Sequence, residues 1–448
     1  MPPLQRMHRP SRRPVAAGLL FLSAPLAAPL AAQGTEGPAE PARPNVVLIV
    51  ADDLGYGELG CYGGSQAKTP RIDSLARDGV LFTSAYVSGP VCAPSRAGLM
   101  TGRYPSRFGY DGYSGPVSEQ IEEDRGVPTD EVLLPARMKE LGYRTAVIGK
   151  WHLGINEKYR PERRGADRFF GVLAGGHDYF RWEEPADGPH GGPVWRDGEQ
   201  VRGDGYLTEA FTAEAIRFLE EAGDEPFFLY LAHFNVHTPV QVPDRYLPED
   251  RSGPLGRGMV VGMVQALDDA VGALLDALDR LEVADRTLVV FLNDNGSPRQ
   301  AENLPLTGTK GTLQEGGVRV PMLLRWPGRI RPGTTYDEPV LQLDLLPTLV
   351  AAAGGAPPPD RELDGTDLFP FLAGTAEGAP HEALYWRFTS RRAIRRGDLK
   401  LHLDADGQTR LFDLRTDPGE QRDLAGERPG AVEELRAELI AWEKGMGE

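Results

Sequence analysis

Apolar residues in this chain fall in short unbroken runs rather than in alternation: Val46–Ala51, Thr145–Ile148, Phe227–Ala232, Leu288–Leu292 and Met322–Leu324. A strand with one face in water alternates apolar and polar side chains, whereas a continuous run reads as a strand buried on both faces. Between these runs the spacing becomes that of amphipathic helices, at Leu133–Leu141, Thr208–Ala222 and Gly258–Leu281. Strands alternating with helices predict an α/β sandwich, a large and mostly parallel central sheet flanked by helices. The texture changes after Gly/Pro-rich breaks at Gly354–Asp360 and Gly374–Pro380. Tyr385–Phe388, Arg391–Arg395, Leu399–Leu403 and Arg410–Leu414 then read as short strands joined by turns, and Val432–Lys444 as a helix. They predict a small C-terminal antiparallel sheet with a terminal helix.

The N-terminus follows neither pattern. Arg6, Arg9, Arg12 and Arg13 precede an apolar run from Val15 to Ala32 that is interrupted by Pro25 and Pro29. This is the layout of a removable signal peptide, and the two prolines argue against a membrane anchor. Ser11-Arg12-Arg13 leaves a twin-arginine route open. No later segment reads as long and apolar enough to span a bilayer, so the expected location is periplasmic or extracellular. The expected organisation is a signal peptide over residues 1–32, a linker over 33–43, a catalytic domain over 44–373 and a C-terminal subdomain over 374–448.

Charge narrows the partners. Residues 1–32 carry four arginines and no acid, so their removal takes the formal charge from −16 to −20. Such a chain is a poor binder of nucleic acid or of an anionic membrane, and an anionic substrate needs a local cluster of cations. Cys61 and Cys92 are the two cysteines, which allows at most one disulfide in a protein destined for an oxidising compartment.

In open α/β sheets ligands lie beyond the carboxyl ends of the strands. Here those ends are polar: Asp52-Asp53 after the first run, Gly149-Lys150-Trp151-His152 after the second, His233 and His237 after the third, Asn293-Asp294-Asn295-Gly296 after the fourth. Singly, each has a simpler explanation as a helix cap, a turn or a histidine satisfying a local hydrogen bond. Together, Asp52, Asp53, Asp294 and Asn295 offer only oxygen ligands, and adjacent carboxylates need a cation to offset their repulsion. This favours calcium or magnesium over zinc.

A cysteine followed by Ala-Pro-Ser is by composition an inert thiol. The longer segment, Cys92-Ala93-Pro94-Ser95-Arg96 with Thr101-Gly102 beyond it, resembles the signature of the formylglycine-dependent sulfatases, arylsulfatase-like members of the alkaline-phosphatase-like superfamily. Further blocks resemble that family in the same order: Asn45–Gly57, Gly149–Gly154, His237-Thr238-Pro239, Asn293–Gly296 and Gly308–Pro321 with Lys310 and Glu315-Gly316-Gly317. Leu411–Leu414 and Asp417–Glu420 resemble its C-terminal part.

The resemblance implies an alkaline-phosphatase-like fold and a mechanism. A maturation enzyme would oxidise Cys92 to formylglycine, whose hydrate has two hydroxyls: one attacks sulfur, the other loses its proton so that sulfate is expelled. It also implies Ca²⁺ held by Asp52, Asp53, Asp294 and Asn295 with the residue at 92, and Arg96 orienting the hydrate. Lys150 and Lys310 would neutralise sulfate oxygens, Lys310 or His237 would protonate the leaving oxygen, and His152 would be the base that releases sulfate. His177, after a Gly-rich turn, is a candidate substrate contact, although a loop that packs on itself explains it equally. The Arg391–Arg396 run is a candidate subsite for an anionic polymer or a solvated strand edge. Trp182, Trp195 and Trp386 suit sugar stacking or core packing. The expected substrate is a sulfated carbohydrate. The alternatives are a phosphonate or phosphate ester hydrolase of the same fold, and a catalytically silent binder of sulfated glycans.

Overall fold

The computed structural model describes residues 43–112, 117–183, 192–247, 255–299, 302–357 and 361–446. The expected signal peptide and nearly all of the linker lie outside them.

Ten strands form the main sheet, in the order 334–336, 80–82, 322–325, 287–293, 45–51, 227–232, 144–150, 168–172, 195–196, 199–200. The five strands from 287–293 to 168–172 are parallel to one another. The sheet is mixed beyond them: Met322–Arg325 runs antiparallel to both of its neighbours, and the short strands 195–196 and 199–200 close the other edge as an antiparallel pair.

The unbroken apolar runs are explained by burial on both faces. Val47, Ile49 and Ala51 join a core with Phe211, Leu267 and Leu274 of helices Leu207–Ala222 and Leu255–Arg280. The alternate residues Val46, Leu48 and Val50 join a second core with Met138 and with Leu345 and Leu349 on the opposite face. All six strand residues are 0% exposed, and full burial of each larger one contributes about 1.5–3 kcal/mol.

Helix Gly256–Arg280 is, by length and composition, apolar enough to cross a membrane, which corrects the sequence expectation that no such segment exists. Its apolarity has a different cause. Val260, Met263, Val264, Leu267, Val271 and Leu274 are buried in the first core, so this is a core helix of the sandwich.

A four-stranded antiparallel sheet, 383–388, 391–396, 399–403 and 409–413, follows in sequential order. Helix Pro429–Lys444 covers it, packing Leu435 and Leu439 on Ile394, Leu401 and Leu411.

Candidate active site

The parallel strands deliver their polar ends to one place. Asp52 and Asp53 follow strand 45–51, Lys150 ends strand 144–150, and Asp294 and Asn295 follow strand 287–293. Asp52 N donates to Asn235 O at 2.9 Å, which ties the first of these ends to the segment leading to His237. Cys92 opens helix Cys92–Thr101, whose positive N-terminal end therefore faces the carboxylates. Arg96 stands one turn on, on the same face.

Each carboxylate has a cationic partner. Lys150 Nζ is 2.5 Å from Asp52, Lys310 Nζ 2.7 Å from Asp53, and Arg96 Nη2 2.8 Å from Asp294 and 3.7 Å from Asp52. Cys92 Sγ donates to Asp52 Oδ1 at 3.3 Å and accepts from Lys310 Nζ at 3.2 Å. His237 is anchored through Nδ1, 2.6 Å from Thr238 O, with Nε2 3.9 Å from Asp53. Gly175 and Gly176 form the wall beside both histidines: a Cβ at 175 would sit 2.4 Å from the His152 ring, and one at 176 would sit 3.3 Å from His237 Cε1.

Burial and the surrounding charges set the protonation states. Burial pushes the Asp52 carboxyl up, but Lys150, His237 and Arg96 outweigh it and hold it well below the usual range. Asp294 is pushed up to about 6 by burial and by Asp52. The Cys92 thiol is pushed up by burial and by Asp294 and Asp52, so as a thiol it stays protonated and is a poor nucleophile. Burial lowers Lys310, but the carboxylates of Asp53 and Asp52 beside it outweigh that and raise it. Burial lowers His152 and His237, and Lys150 lowers both further.

The donor set fits a hard cation. Asp52, Asp53, Cys92 and Asp294 each present a ligand atom, all within 4.8 Å of one another. Asn295 Oδ1 is buried without a protein hydrogen-bond partner while its Nδ2 donates to Asp53 at 2.7 Å, so the amide turns an unused oxygen inward. Three carboxylates and an amide oxygen suit calcium or magnesium.

His177 is placed differently from the other sequence candidates. It is 1% exposed, with Nδ1 2.6 Å from Asp178 O and Nε2 2.7 Å from Gly192 O, so both nitrogens are turned to backbone. His233 is fully buried and neither ring nitrogen has a protein partner. Trp386 is core, donating to Val87 O at 2.7 Å; Trp182 packs edge-on against Phe170, and Trp195 lies under the Arg160 guanidinium. In the arginine run, Arg392 and Arg396 pair with Glu443, Glu434 and Glu438 of the terminal helix, and Arg395 reaches the Tyr86 hydroxyl.

Three residues were missed as supports. The Tyr230 hydroxyl accepts from Arg96 Nη1 at 3.1 Å. Ser95 Oγ donates to Asp294 O, and Gln342 Nε2 donates to Ser95 O at 2.7 Å. Ser95 had a signal as part of the Cys92–Arg96 segment; Tyr230, inside an apolar run, and Gln342 had none.

Comparison with known proteins identifies the family. The family model described as Sulfatase matches residues 44–356, around every strand end named above. The chain belongs to the sulfatase family. It is a sulfuric ester hydrolase. A second model, N-sulphoglucosamine sulphohydrolase, C-terminal, matches residues 309–443. Human arylsulfatase A is 36% identical over 88% of this sulfatase and 85% of its own length. Dog (Canis lupus familiaris) N-acetylgalactosamine-6-sulfatase is 35% identical over 83% of this chain and 74% of its own. Among solved structures, Ps i-CgsB in complex with k-i-k-neocarrahexaose superposes with a TM-score of 0.82 at 35% identity, covering 90% of this chain and 93% of that one. The expected alkaline-phosphatase-like architecture is thus the observed one.

Proposed function

We propose that this sulfatase cleaves sulfate esters of carbohydrates, using a formylglycine made from Cys92 by a maturation enzyme and one bound calcium ion. The observation that carries the reading is Cys92 Sγ itself, within hydrogen-bonding distance of Asp52 and Lys310 at the N-terminal end of a helix. That sulfur marks where the nucleophilic oxygen would stand after oxidation. A protonated, buried thiol is not a nucleophile there, whereas the aldehyde hydrate supplies one hydroxyl to attack sulfur and a second to release the product.

Asp52, Asp53, Asp294 and Asn295 would hold the cation, which supplies Lewis acidity toward a sulfate oxygen and the nucleophile. Arg96 and Lys150, both 0% exposed, form the floor and fix the nucleophile side. Lys310 and His237 are 20% and 19% exposed and form the mouth, through which the alcohol must depart. Either is placed to meet the leaving oxygen, and Lys310 is the acid in this proposal, with His237 the alternative. The Lys310 ammonium group, 2.7 Å from Asp53, carries a proton that it can give as alkoxide charge develops. His152, lowered well below its usual value, is neutral and serves as the base.

The carbohydrate part rests on relatives. One is named for a 6-sulfated amino sugar and another was solved with a bound hexaose. The first 32 residues are proposed as an export signal, residues 44–373 as the catalytic domain and 374–448 as its C-terminal subdomain. His177 is proposed to shape the substrate wall by fastening Gly192 rather than by touching sugar. Protein co-expressed with a maturation enzyme should release sulfate from some members of a panel of defined sulfated oligosaccharides. Faster turnover of phosphonate or phosphate esters would support the alternative hydrolase, and retention of sulfated sugars without turnover the silent binder.

A further inference from the structure

The segment that carries Lys310 is held from outside the main sheet. Lys310 N donates to Ser297 O at 3.0 Å and Gly311 N to Pro90 O at 2.8 Å. A few residues on, the turn Glu315-Gly316-Gly317 closes against both functional segments. Gly316 N donates to Thr307 O at 2.7 Å, and Gly296 N, next to Asn295, donates to Gly317 O at 3.0 Å. The approach is tight enough that a Cβ on Gly296 would lie 1.7 Å from Gly316 O. One turn thus braces the Lys310 loop and the Asp294-Asn295 end together.

That turn is clamped by the C-terminal sheet. Glu315, 0% exposed, accepts from Lys400 Nζ at 2.7 Å and from the Tyr86 hydroxyl at 2.6 Å, and lies 3.3 Å from Arg319. Its backbone N–H donates to Glu420 at 2.7 Å. Glu420 also accepts from His402 Nε2 at 2.6 Å and lies 3.5 Å from Lys400. Lys400 and His402 sit on strand 399–403, and Glu420 follows strand 409–413. Replacing a buried ion pair by packed apolar groups is often neutral or stabilising, whereas removing one partner is severe. Each member of a buried, bonded cluster at this junction is therefore hard to remove alone, and together they fix the geometry of the turn they hold.

We propose that Lys400 and Glu420 are positioning residues for sulfate-ester cleavage: through Glu315 they hold Lys310 at the leaving oxygen. The inference rests on the reading of Lys310 given above. It also makes the C-terminal sheet part of the catalytic device.

The test is a pair of aryl sulfates that differ in leaving group, 4-nitrophenyl sulfate and phenyl sulfate, with kcat measured for each on matured protein. The ratio of the two rates is independent of how much of a variant is folded. Lys310→Ala is the reference and should slow the phenyl ester more than the nitrophenyl ester. Lys400→Met should change the ratio in the same direction by about tenfold, within the roughly hundredfold loss of rate that a misplacement of about 1 Å can cause. Lys400→Arg should restore part of it, and Lys400→Met in the Lys310→Ala background should add little further selectivity. Glu420→Gln is read in the same way if Lys400→Met does not yield folded protein. Equal loss on both esters, or no loss, with Lys310→Ala behaving as expected, overturns the positioning role alone. If Lys310→Ala itself shows no leaving-group selectivity, the role of Lys310 falls and this inference with it.

Discussion

Removing the cation should weaken anion binding by about a hundredfold or more, not merely slow turnover. Arg96, Lys150 and Lys310 face Asp52, Asp53 and Asp294, so the formal charge of the cluster without a divalent cation is zero, in a chain of net charge −16. Calcium would add two positive charges. At an effective dielectric of about 20, a unit charge about 5 Å from another contributes roughly 3 kcal/mol. Halving this for solvent at the partly open mouth leaves about 3 kcal/mol from calcium's two charges for each unit of anion charge, so at least on the order of a hundredfold in affinity for the sulfate dianion. The assay is titration calorimetry of inorganic sulfate into chelator-treated and calcium-restored protein, with thermal unfolding run alongside to establish that both are folded. Equal affinity in the two preparations refutes the electrostatic reasoning. Metal analysis that finds zinc alone refutes the choice of calcium.

Peptide mass spectrometry of active material should find an aldehyde at position 92, and full activity in a preparation carrying only the thiol would refute the nucleophile. Lys150→Ala leaves Asp52 without its closest cation and should lower kcat/KM by about a hundredfold or more; a wild-type value would remove Lys150 from the site. Burial raises the Glu315 carboxyl but Lys400, Arg319 and Arg395 outweigh it and lower it to about 2 from 4.5, so its contribution, a few kcal/mol, is present above pH 4.5 and lost as pH falls toward 2. Acid unfolding of Glu315→Gln should be flatter over that window, and an unchanged slope would contradict the pairing. His233 has two ring nitrogens without protein partners and is lowered to about 3 by burial, so His233→Leu should stabilise by about 1–3 kcal/mol; a fall in melting temperature would reveal a partner for the ring.

What the sequence showed, and what it hid, follows from burial. The five strands read from apolar runs are all present, because continuous apolarity is what a doubly covered strand requires. Strands 80–82 and 334–336 escaped notice because three residues carry no periodicity. Helix Cys92–Thr101 was legible only through its signature. All ten of its residues are buried, so it has no polar face and no amphipathic pattern, and Pro94 and Gly98 argue against a helix by propensity. Strand ends gave the ligand candidates because polar side chains directly after a buried strand have few other uses. His177 illustrates the limit: a histidine after glycines resembles a substrate contact, yet the direction of its ring is decided by carbonyls one and fifteen residues away. Glu315, Lys400 and Glu420 were equally hidden, since no local pattern announces that Lys400, 85 residues on, will pair with Glu315 or that Glu420, 105 residues on, will accept its N–H.

Backbone strain traces the same device. Among the described residues, seven non-glycine positions have positive φ, and Asp53, His152 and Glu420 are three of them, at 61°, 59° and 53°. Such conformations are uncommon for side-chain-bearing residues, and at buried positions they are held by surrounding bonds. Asp53 is held by Lys310 and Asn295, and by its own N–H to Asp294 at 3.3 Å. Glu420 is held by Glu315 N–H, His402 and Lys400. One strained residue presents a carboxylate to the cation site, and the other presents one to the turn that braces the same site from the C-terminal sheet. Relaxing either backbone would re-aim a carboxylate, and both carboxylates bear on Lys310, one by direct pairing and one through Glu315. Two of the seven positive-φ non-glycine residues therefore stand where sulfate-ester cleavage needs fixed charge positions, one on each side of the junction between the two sheets.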